Sequence, residues 1–203
     1  VVVRVGRQVE EDHCRELIQG LKTILDLGSS SLDSGLQGRA YLASVTLVLP
    51  ASWRDSMCGL SMASPSTSLA WREPDVVVEA SGEEVEVVRG AQCGQAGQLI
   101  RLPLPRLLRN VTAEEGRELA RAWAAYRYGV FPETEGELFP NVTTGMGQQA
   151  VICQGRSVQQ VILSHPDFYE VRVDGEPERN VEPQLVVVRE PAAKFVLAME
   201  TSG

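Results

Sequence analysis

The sequence predicts one α/β domain built on a mostly parallel β-sheet that is covered on both faces. Short apolar runs at residues 1–5, 43–49 and 76–78 are typical of strands that are buried on both faces. Two longer segments, residues 11–27 and 113–128, have apolar side chains at helical spacing instead. The length of 203 residues suits one such domain, with or without a small appendage.

The first half of the chain reads as strand, helix, strand and strand. Gly28 and the serines after it predict the end of the helix at 11–27. The stretch 52–73 is rich in serine and proline and is predicted to be irregular. A fourth strand is expected at 99–102, introduced by the glycine-containing stretch 93–97.

The second helix has the clearest boundaries in the sequence. Thr112 is a good N-cap residue, and Glu115 three positions later completes a capping-box pattern. Gly129 is expected to end the helix. Three large side chains share one face and are expected to pack in the core: Leu119, Trp123 and Tyr126.

The last third of the chain is predicted to hold further strands. Residues 148–153 and 157–163 read as a hairpin, and 168–173 read as another strand. Residues 176–183 read as a linker, residues 184–188 are apolar, and residues 194–199 are again strand-like.

Composition excludes several function classes. The net charge of −8 disfavours binding to a phosphate backbone, so we expect no nucleic-acid partner. No apolar run approaches the roughly 20 residues that cross a bilayer, so we expect no membrane contact by this segment. The two histidines, His13 and His165, lie far apart and are expected in a surface helix and a turn. This scarcity disfavours a histidine-based metal site and a Ser-His-Asp triad.

Cysteines and glycosylation motifs favour a secreted or cell-surface protein. The chain has two Asn-x-Thr sequons, at Asn110 and Asn141, and an even number of cysteines without Cys-x-x-Cys spacing: Cys14, Cys58, Cys93 and Cys153. Chance sequons and buried free thiols are the alternative interpretation, and four cysteines allow three pairings. The chain begins with valine and carries no signal peptide, which is typical of a mature or excised fragment.

Other motifs carry little chemistry by themselves. The acidic loop 133–137 could attract calcium, but it lacks the usual Asp/Asn/Gly calcium pattern and is more typical of a solvated loop. Gly94 and Gly97 do not form a phosphate-binding loop, because no Gly-Lys-Ser/Thr follows them.

Four segments resemble the calcium-activated chloride channel regulator (CLCA) family. Residues 123–133 read Trp-Ala-Ala-Tyr-Arg-Tyr-Gly-Val-Phe-Pro-Glu, where that family has His-Glu-Trp-Ala-His-Leu-Arg-Trp-Gly-Val-Phe-Asp-Glu starting two positions earlier. Residues 45–53 resemble the family's strand followed by Pro-x-x-Trp. Residues 91–100 resemble its Asn-Cys-Gly-x-x-Gly segment, and 149–153 resemble a later cysteine segment.

The resemblance implies a fold and a domain order. It implies a zincin-like, metalloprotease-type mixed sheet with two principal helices, stabilised by disulfides, over residues 1–175. A linker at 176–193 would then lead to the start of a von Willebrand factor A domain at 194–203, where Glu200 stands in the place of that domain's first metal-site aspartate. The two matched cysteines, Cys93 and Cys153, are expected to pair, which leaves Cys14 with Cys58.

The resemblance also shows which chemical groups are missing. Arg121 and Ala125 occupy the places of the family's two zinc-binding histidines, Ala122 that of the catalytic glutamate, and Pro132 that of the ligand aspartate. A guanidinium stays protonated and has no lone pair for zinc. We therefore expect a pseudoenzyme without metal or other cofactor, in which Arg121 pairs with a carboxylate, for example from the loop 133–137.

The functional hypothesis is a non-catalytic protein-binding or scaffolding domain that acts in channel regulation, mucus or matrix. Its protein partner is not identified by the sequence. The alternatives are a hydrolase with a non-standard catalytic set and a domain that only supports the folding of its neighbour.

Overall fold

A six-stranded mixed sheet lies at the centre of the domain. The computed structural model describes residues 1–36, 41–59, 72–88, 95–129, 151–152, 156–157 and 182–190. Its strands are β1 (Val2–Val5), β2 (Ser44–Leu49), β3 (Val76–Glu79), β4 (Glu86–Val88), β5 (Leu99–Pro103), β6 (Val151–Ile152), β7 (Arg156–Ser157) and β8 (Gln184–Arg189). Its helices are α1 (Cys14–Gly35), α2 (Asp55–Cys58), α3 (Leu104–Leu108) and α4 (Ala113–Tyr128), and a 3₁₀ turn at Glu11–His13 precedes α1.

The sheet has the order β4-β5-β3-β1-β2-β8, and every neighbouring pair except β4–β5 is parallel. Val3 lies at the centre of this sheet, opposite Leu47 of β2 and Val76 of β3. The strands β6 and β7 form a separate antiparallel pair. The predicted α/β class with a mostly parallel sheet is therefore confirmed, and β4 is the antiparallel strand that makes the sheet mixed.

Both faces of the central strands are buried, which explains why the apolar runs show no alternation. Val3 and Val5 point into the main core with the helices, whereas Val2 lies on the opposite face in a small cluster with Val48 and Val188. Val2 and Val48 are each 1% exposed, so this part of the opposite face is covered as well.

The helix α1 continues beyond its predicted end at Gly28 and reaches Gly35. The serines that were predicted to form a loop are helical, and Ser30 and Ser31 donate hydrogen bonds from their hydroxyls to backbone carbonyls four residues earlier. Buried Leu32 extends the apolar side of the helix by another turn. The prediction of the helix end was wrong because burial of this last turn outweighs the low helix propensity of glycine and serine.

Glycines allow α1 to pack closely against α3 and α4. A Cβ at Gly116 of α4 would overlap the side chain of Leu27 and lie 2.9 Å from the Leu27 carbonyl carbon. A Cβ at Gly20 would overlap the backbone of Leu107 in α3. The helix–helix distances are therefore set by residues without side chains.

A disulfide joins Cys14, at the start of α1, to Cys58, at the end of α2, with 4.9 Å between their Cα atoms. Both cysteines are buried, at 0% and 3% exposure. This is the pairing that the resemblance left for these two residues. Cys93 and Cys153 lie outside the described residues, so their bridge stays a prediction.

The strand β8 lies in the stretch 176–193, where a linker was expected. It pairs with β2 over six residue positions, and backbone hydrogen bonds from Gln184 to Ala43 and from Glu190 to Leu49 extend the pairing at both ends. Leu185 and Val187 pack against the main core. The part of this stretch that the structure describes, residues 182–190, thus completes the sheet. Within the described residues, no helix has both the length and the hydropathy needed to cross a bilayer.

Loss of the Cys14–Cys58 bridge should lower the free energy of unfolding. The bridge spans a sequence separation of 44 residues, for which the chain-entropy treatment gives about 4 kcal/mol. Urea unfolding of a Cys14→Ala/Cys58→Ala variant should show this loss relative to the oxidised wild-type chain. An unchanged unfolding midpoint would contradict a structural role for the bridge.

Gly116→Ala should destabilise the fold even though alanine favours helices. The added methyl group must displace the backbone of α1, and such overpacking costs about 1–3 kcal/mol. Gly28→Ala is the matched control, because there the nearest atom is a Leu119 side-chain methyl at 3.2 Å, which is free to shift. Thermal unfolding should show the larger loss for Gly116→Ala, and the reverse order would contradict the packing argument.

Candidate functional site

The helix α4 carries Arg121, Ala122 and Ala125, three of the positions that the resemblance aligns with the family's zinc site, and it has well-defined ends. Its N-cap Thr112 accepts a hydrogen bond from the Glu115 N–H, and the Glu115 carboxylate accepts one from the Thr112 N–H at 2.8 Å. At the C-terminus Gly129 has φ 62°, and its N–H donates to the Ala125 carbonyl at 3.0 Å. The capping box and the glycine end, both predicted from sequence, are confirmed.

Glu115 is a buried carboxylate that holds this helix start together. It is 6% exposed, accepts a hydrogen bond from Arg109 Nε at 2.9 Å, and forms an ion pair with Arg109 Nη2 at 2.7 Å. Burial acts to raise the pKa of Glu115, but the hydrogen bonds from Thr112 and Arg109 outweigh it and hold the pKa below its ordinary value. The carboxylate therefore stays charged next to the positive end of the helix dipole.

Positions 121, 122 and 125, which the resemblance aligns with the family's zinc-site residues, present no metal-binding atom. The Arg121 guanidinium lies 3.3 Å from a carboxylate oxygen of Glu114, which also pairs with Arg117. Ala122 and Ala125 are each 7% exposed and offer only methyl groups. The partner of Arg121 within the described residues is thus on its own helix. The loop 133–137 that was expected to supply it, like Pro132, lies outside the described residues.

These residues do not fit a zinc ion. A protonated guanidinium has no lone pair, and a methyl group has no donor atom. In the described ranges, no group of three or more His, Cys, Asp and Glu side chains is placed to hold a metal. His13 lies in the 3₁₀ turn before α1, and His165 lies outside the described residues.

Tyr126 connects this helix to the sheet through Asp75, which sequence reasoning did not select. The Tyr126 hydroxyl donates to one oxygen of Asp75 at 2.7 Å, and the Val2 N–H donates to the other at 2.7 Å. The backbone of Asp75 also bonds to Val2 and accepts from Ile100 at 3.0 Å. Asp75 is 8% exposed and precedes β3 directly, so the available signal was a lone carboxylate immediately before an apolar run.

Two of the aromatic residues of α4, Trp123 and Tyr126, lie in contact and pack against the core. The rings of Trp123 and Tyr126 are 5.4 Å apart at an angle of 51°, and both pack partly buried against the main core. Burial, followed by the hydrogen bond to Asp75, raises the pKa of Tyr126 to about 12. The expectation that both residues pack in the core is confirmed.

The glycine-containing stretch before β5 is explained by close packing on α4. The Gly97 N–H donates to the Tyr126 carbonyl at 2.6 Å, and a Cβ on Gly97 would lie 3.0 Å from the Val88 carbonyl oxygen. The next residue, Gln98, donates to the same carbonyl at 2.8 Å. This segment therefore joins the edge strand β4 to the C-terminal turn of α4.

Comparison with known sequences decides the family. The sequence model of the family described as "Calcium-activated chloride channel N terminal" matches residues 1–155. The chain belongs to this family. The match to the CLCA N-terminal domain includes all of α4 and ends before β8.

Several CLCA proteins are similar to the chain. Calcium-activated chloride channel regulator 1 of Bos taurus is 26% identical over 144 residues, which cover 68% of this chain and 15% of the relative. Calcium-activated chloride channel regulator 3A-1 of Mus musculus is 29% identical over 140 residues, 66% of this chain and 15% of the relative. The chain thus spans about 15% of the length of these relatives. No solved structure matches the chain significantly.

Removal of the Tyr126 hydroxyl should destabilise this CLCA domain in a pH-dependent way. Tyr126→Phe leaves one oxygen of a buried carboxylate without its donor, which costs about 1–3 kcal/mol. Because the pKa rises from 10.0 to about 12 on folding, the contribution is complete below pH 10 and is lost as pH rises towards 12. Chemical unfolding of wild type and Tyr126→Phe across this range should show the difference shrinking.

An Asp75→Asn variant and the double variant complete a thermodynamic cycle for this pair. A coupling free energy of about 0.5–3 kcal/mol is expected for residues in direct contact. Additive effects would contradict the proposed link between Tyr126 and Asp75.

Proposed function

We propose that this chain is a non-catalytic, metalloprotease-like domain of a secreted or cell-surface CLCA protein, and that it acts by binding or scaffolding another protein. The observation that carries the proposal is that α4 retains its capping box and its core packing, while positions 121, 122 and 125 carry arginine and two alanines. The helix is maintained as a structural element, and its chemical groups are replaced.

The arrangement of the sheet supports a zincin-like fold as part of this proposal. The antiparallel edge strand β4 contacts α4, and Gly97 donates a hydrogen bond to the Tyr126 carbonyl in the C-terminal turn of α4. The helix therefore lies beside a sheet edge, where the mixed sheet and two principal helices of the expected fold would place a cleft. A cleft of this kind can serve as a binding surface without chemistry.

The chemistry of the replaced positions argues against a zinc hydrolase. A metal ion lowers the pKa of its bound water towards neutrality and so generates the nucleophile of such an enzyme. Arg121 places a positive charge where a metal ion would bind, and Ala122 removes the carboxylate that would accept a proton. A water at this position would keep nearly the acidity of bulk water.

The relatives and the disulfide support a protein partner and an extracellular location for this chain. The relatives are named as regulators of calcium-activated chloride channels. We therefore propose that this chain has a protein partner. The buried Cys14–Cys58 bridge suits an oxidising, extracellular environment. A von Willebrand factor A domain that begins near 194 remains part of the proposal, with β8 as the last strand before it.

The test of the pseudoenzyme role is metal content together with peptidase activity. Protein purified without chelator and then equilibrated with zinc should hold less than one tenth of an equivalent on this helix, and should show no chelator-sensitive cleavage. One zinc per chain that is lost on substitution of α4 residues, or cleavage abolished by chelator, would overturn the proposal in favour of a hydrolase with a non-standard catalytic set.

The reverse experiment introduces the residues that the CLCA family has at the zinc-site positions. The variant Arg121→His/Ala122→Glu/Ala125→His/Pro132→Asp should bind one zinc per chain, because positions 121 and 125 lie one helical turn apart. The matched control Arg117→His/Arg127→His adds two histidines to the same helix without a shared point of contact and should bind none. A folded quadruple variant without zinc affinity would contradict the zincin-like geometry.

A further inference from the structure

The turn between α3 and α4 presents a glycosylation sequon on the surface. Asn110 is exposed and lies outside regular structure, and the residues on either side of the turn have extended backbone. Arg109 has φ −100° and ψ 176°, and Thr112 has φ −104° and ψ 164°. The Asn110 amide is therefore free of strand or helix pairing and accessible to solvent.

The third residue of this sequon has a second role in the folded protein. The Thr112 hydroxyl accepts from the Glu115 N–H at 3.4 Å and lies 3.2 Å from a carboxylate oxygen of Glu115, to which it donates. The same carboxylate is held by the Thr112 N–H and by Arg109. Both hydrogen-bonding capacities of this hydroxyl are thus used at the start of α4.

We propose that Asn110 carries an N-linked glycan, and that the glycan is attached before α4 folds. The proposal rests on the secretory setting of the proposed function, because the donor is a lipid-linked diphosphate oligosaccharide of the secretory pathway. The side-chain nitrogen of Asn110 forms a bond to the anomeric carbon of the first sugar. The bond from that carbon to the lipid diphosphate breaks, and the amide loses one proton.

Glycosylation must precede folding of α4, because the folded helix start uses the Thr112 hydroxyl. An acceptor sequon requires the hydroxyl of its third residue. In the folded domain this hydroxyl is engaged by Glu115, whereas in the nascent chain it is available. The glycan is consequently added to the unfolded segment, and the capping box closes afterwards.

A glycan at this position also restricts where a protein partner binds. It stands at the N-terminal end of α4 on an exposed corner, next to Arg109 and the exposed Leu108. Its bulk shields this corner, so the partner surface of the proposed function lies away from the α3–α4 turn.

Glycosylation of Asn110 is tested in an Asn141→Gln variant, which lacks the other sequon. The chain is secreted from a eukaryotic cell behind a cleavable signal sequence, and its intact mass is measured before and after glycosidase treatment. We expect one glycosidase-sensitive mass step, located at Asn110 by peptide mapping. A secreted chain without this step overturns the site but leaves the binding role to its own tests, because the signal sequence forces entry into the pathway.

Three variants separate the two roles of the sequon. Asn110→Gln should lose the glycan and keep the helix cap. Thr112→Asn should also lose the glycan, while asparagine remains a good N-cap residue, and Thr112→Ser should keep both. Helical circular dichroism shows whether each variant folds. Retention of the mass step in Thr112→Asn would contradict the assignment.

The order of events is tested with a cell-free transfer assay. Bacterially produced Asn141→Gln chain, refolded with its Cys14–Cys58 bridge, is compared with the same chain reduced and alkylated, using detergent-extracted transferase and lipid-linked donor. We expect at least a tenfold slower modification of the folded chain. Equal rates would overturn the proposed order and leave the site itself in place.

Discussion

The buried carboxylate of Asp75 fixes the position of α4 relative to the sheet. A buried charge must be satisfied by protein groups, and here a backbone N–H of β1 and the hydroxyl of Tyr126 supply the hydrogen bonds. The backbone of Asp75 joins the ladder to β1 and β5. Displacement of α4 would leave this carboxylate partly unpaired, so one residue couples the strand order, the helix position and the pKa of Tyr126.

The position of α4 is held by contacts that involve no metal ligand, although Ala122 and Ala125 are themselves buried. The helix is held by its capping box, by the close approach of Gly116 to α1 and by the Tyr126 hydrogen bond. Arg121 contributes an exposed ion pair, which is worth little in water. These supports require no metal ligand at positions 121 and 125, so the helix keeps its place with an arginine and an alanine there.

The sequence predicted the features that depend on local chemistry. The cap at Thr112, the end at Gly129 and the buried strand at Val76–Glu79 follow from residue type and spacing. Features that depend on tertiary contact were missed: Gly28 continues a helix because α4 packs on it, and the short strand β4, with two glutamates before it, is a strand through its pairing with β5. Asp75 was missed because burial of a single carboxylate leaves no periodic signal.

Arg121 determines the electrostatics of this part of α4 as well as its lack of metal-binding atoms. Its guanidinium and that of Arg117 share the single carboxylate of Glu114, so this stripe of α4 carries an excess positive charge in a chain of net charge −8. A divalent cation that approached positions 121 and 125 would meet repulsion and no donor atom. An arginine at position 121 thus opposes metal binding more strongly than a neutral residue would.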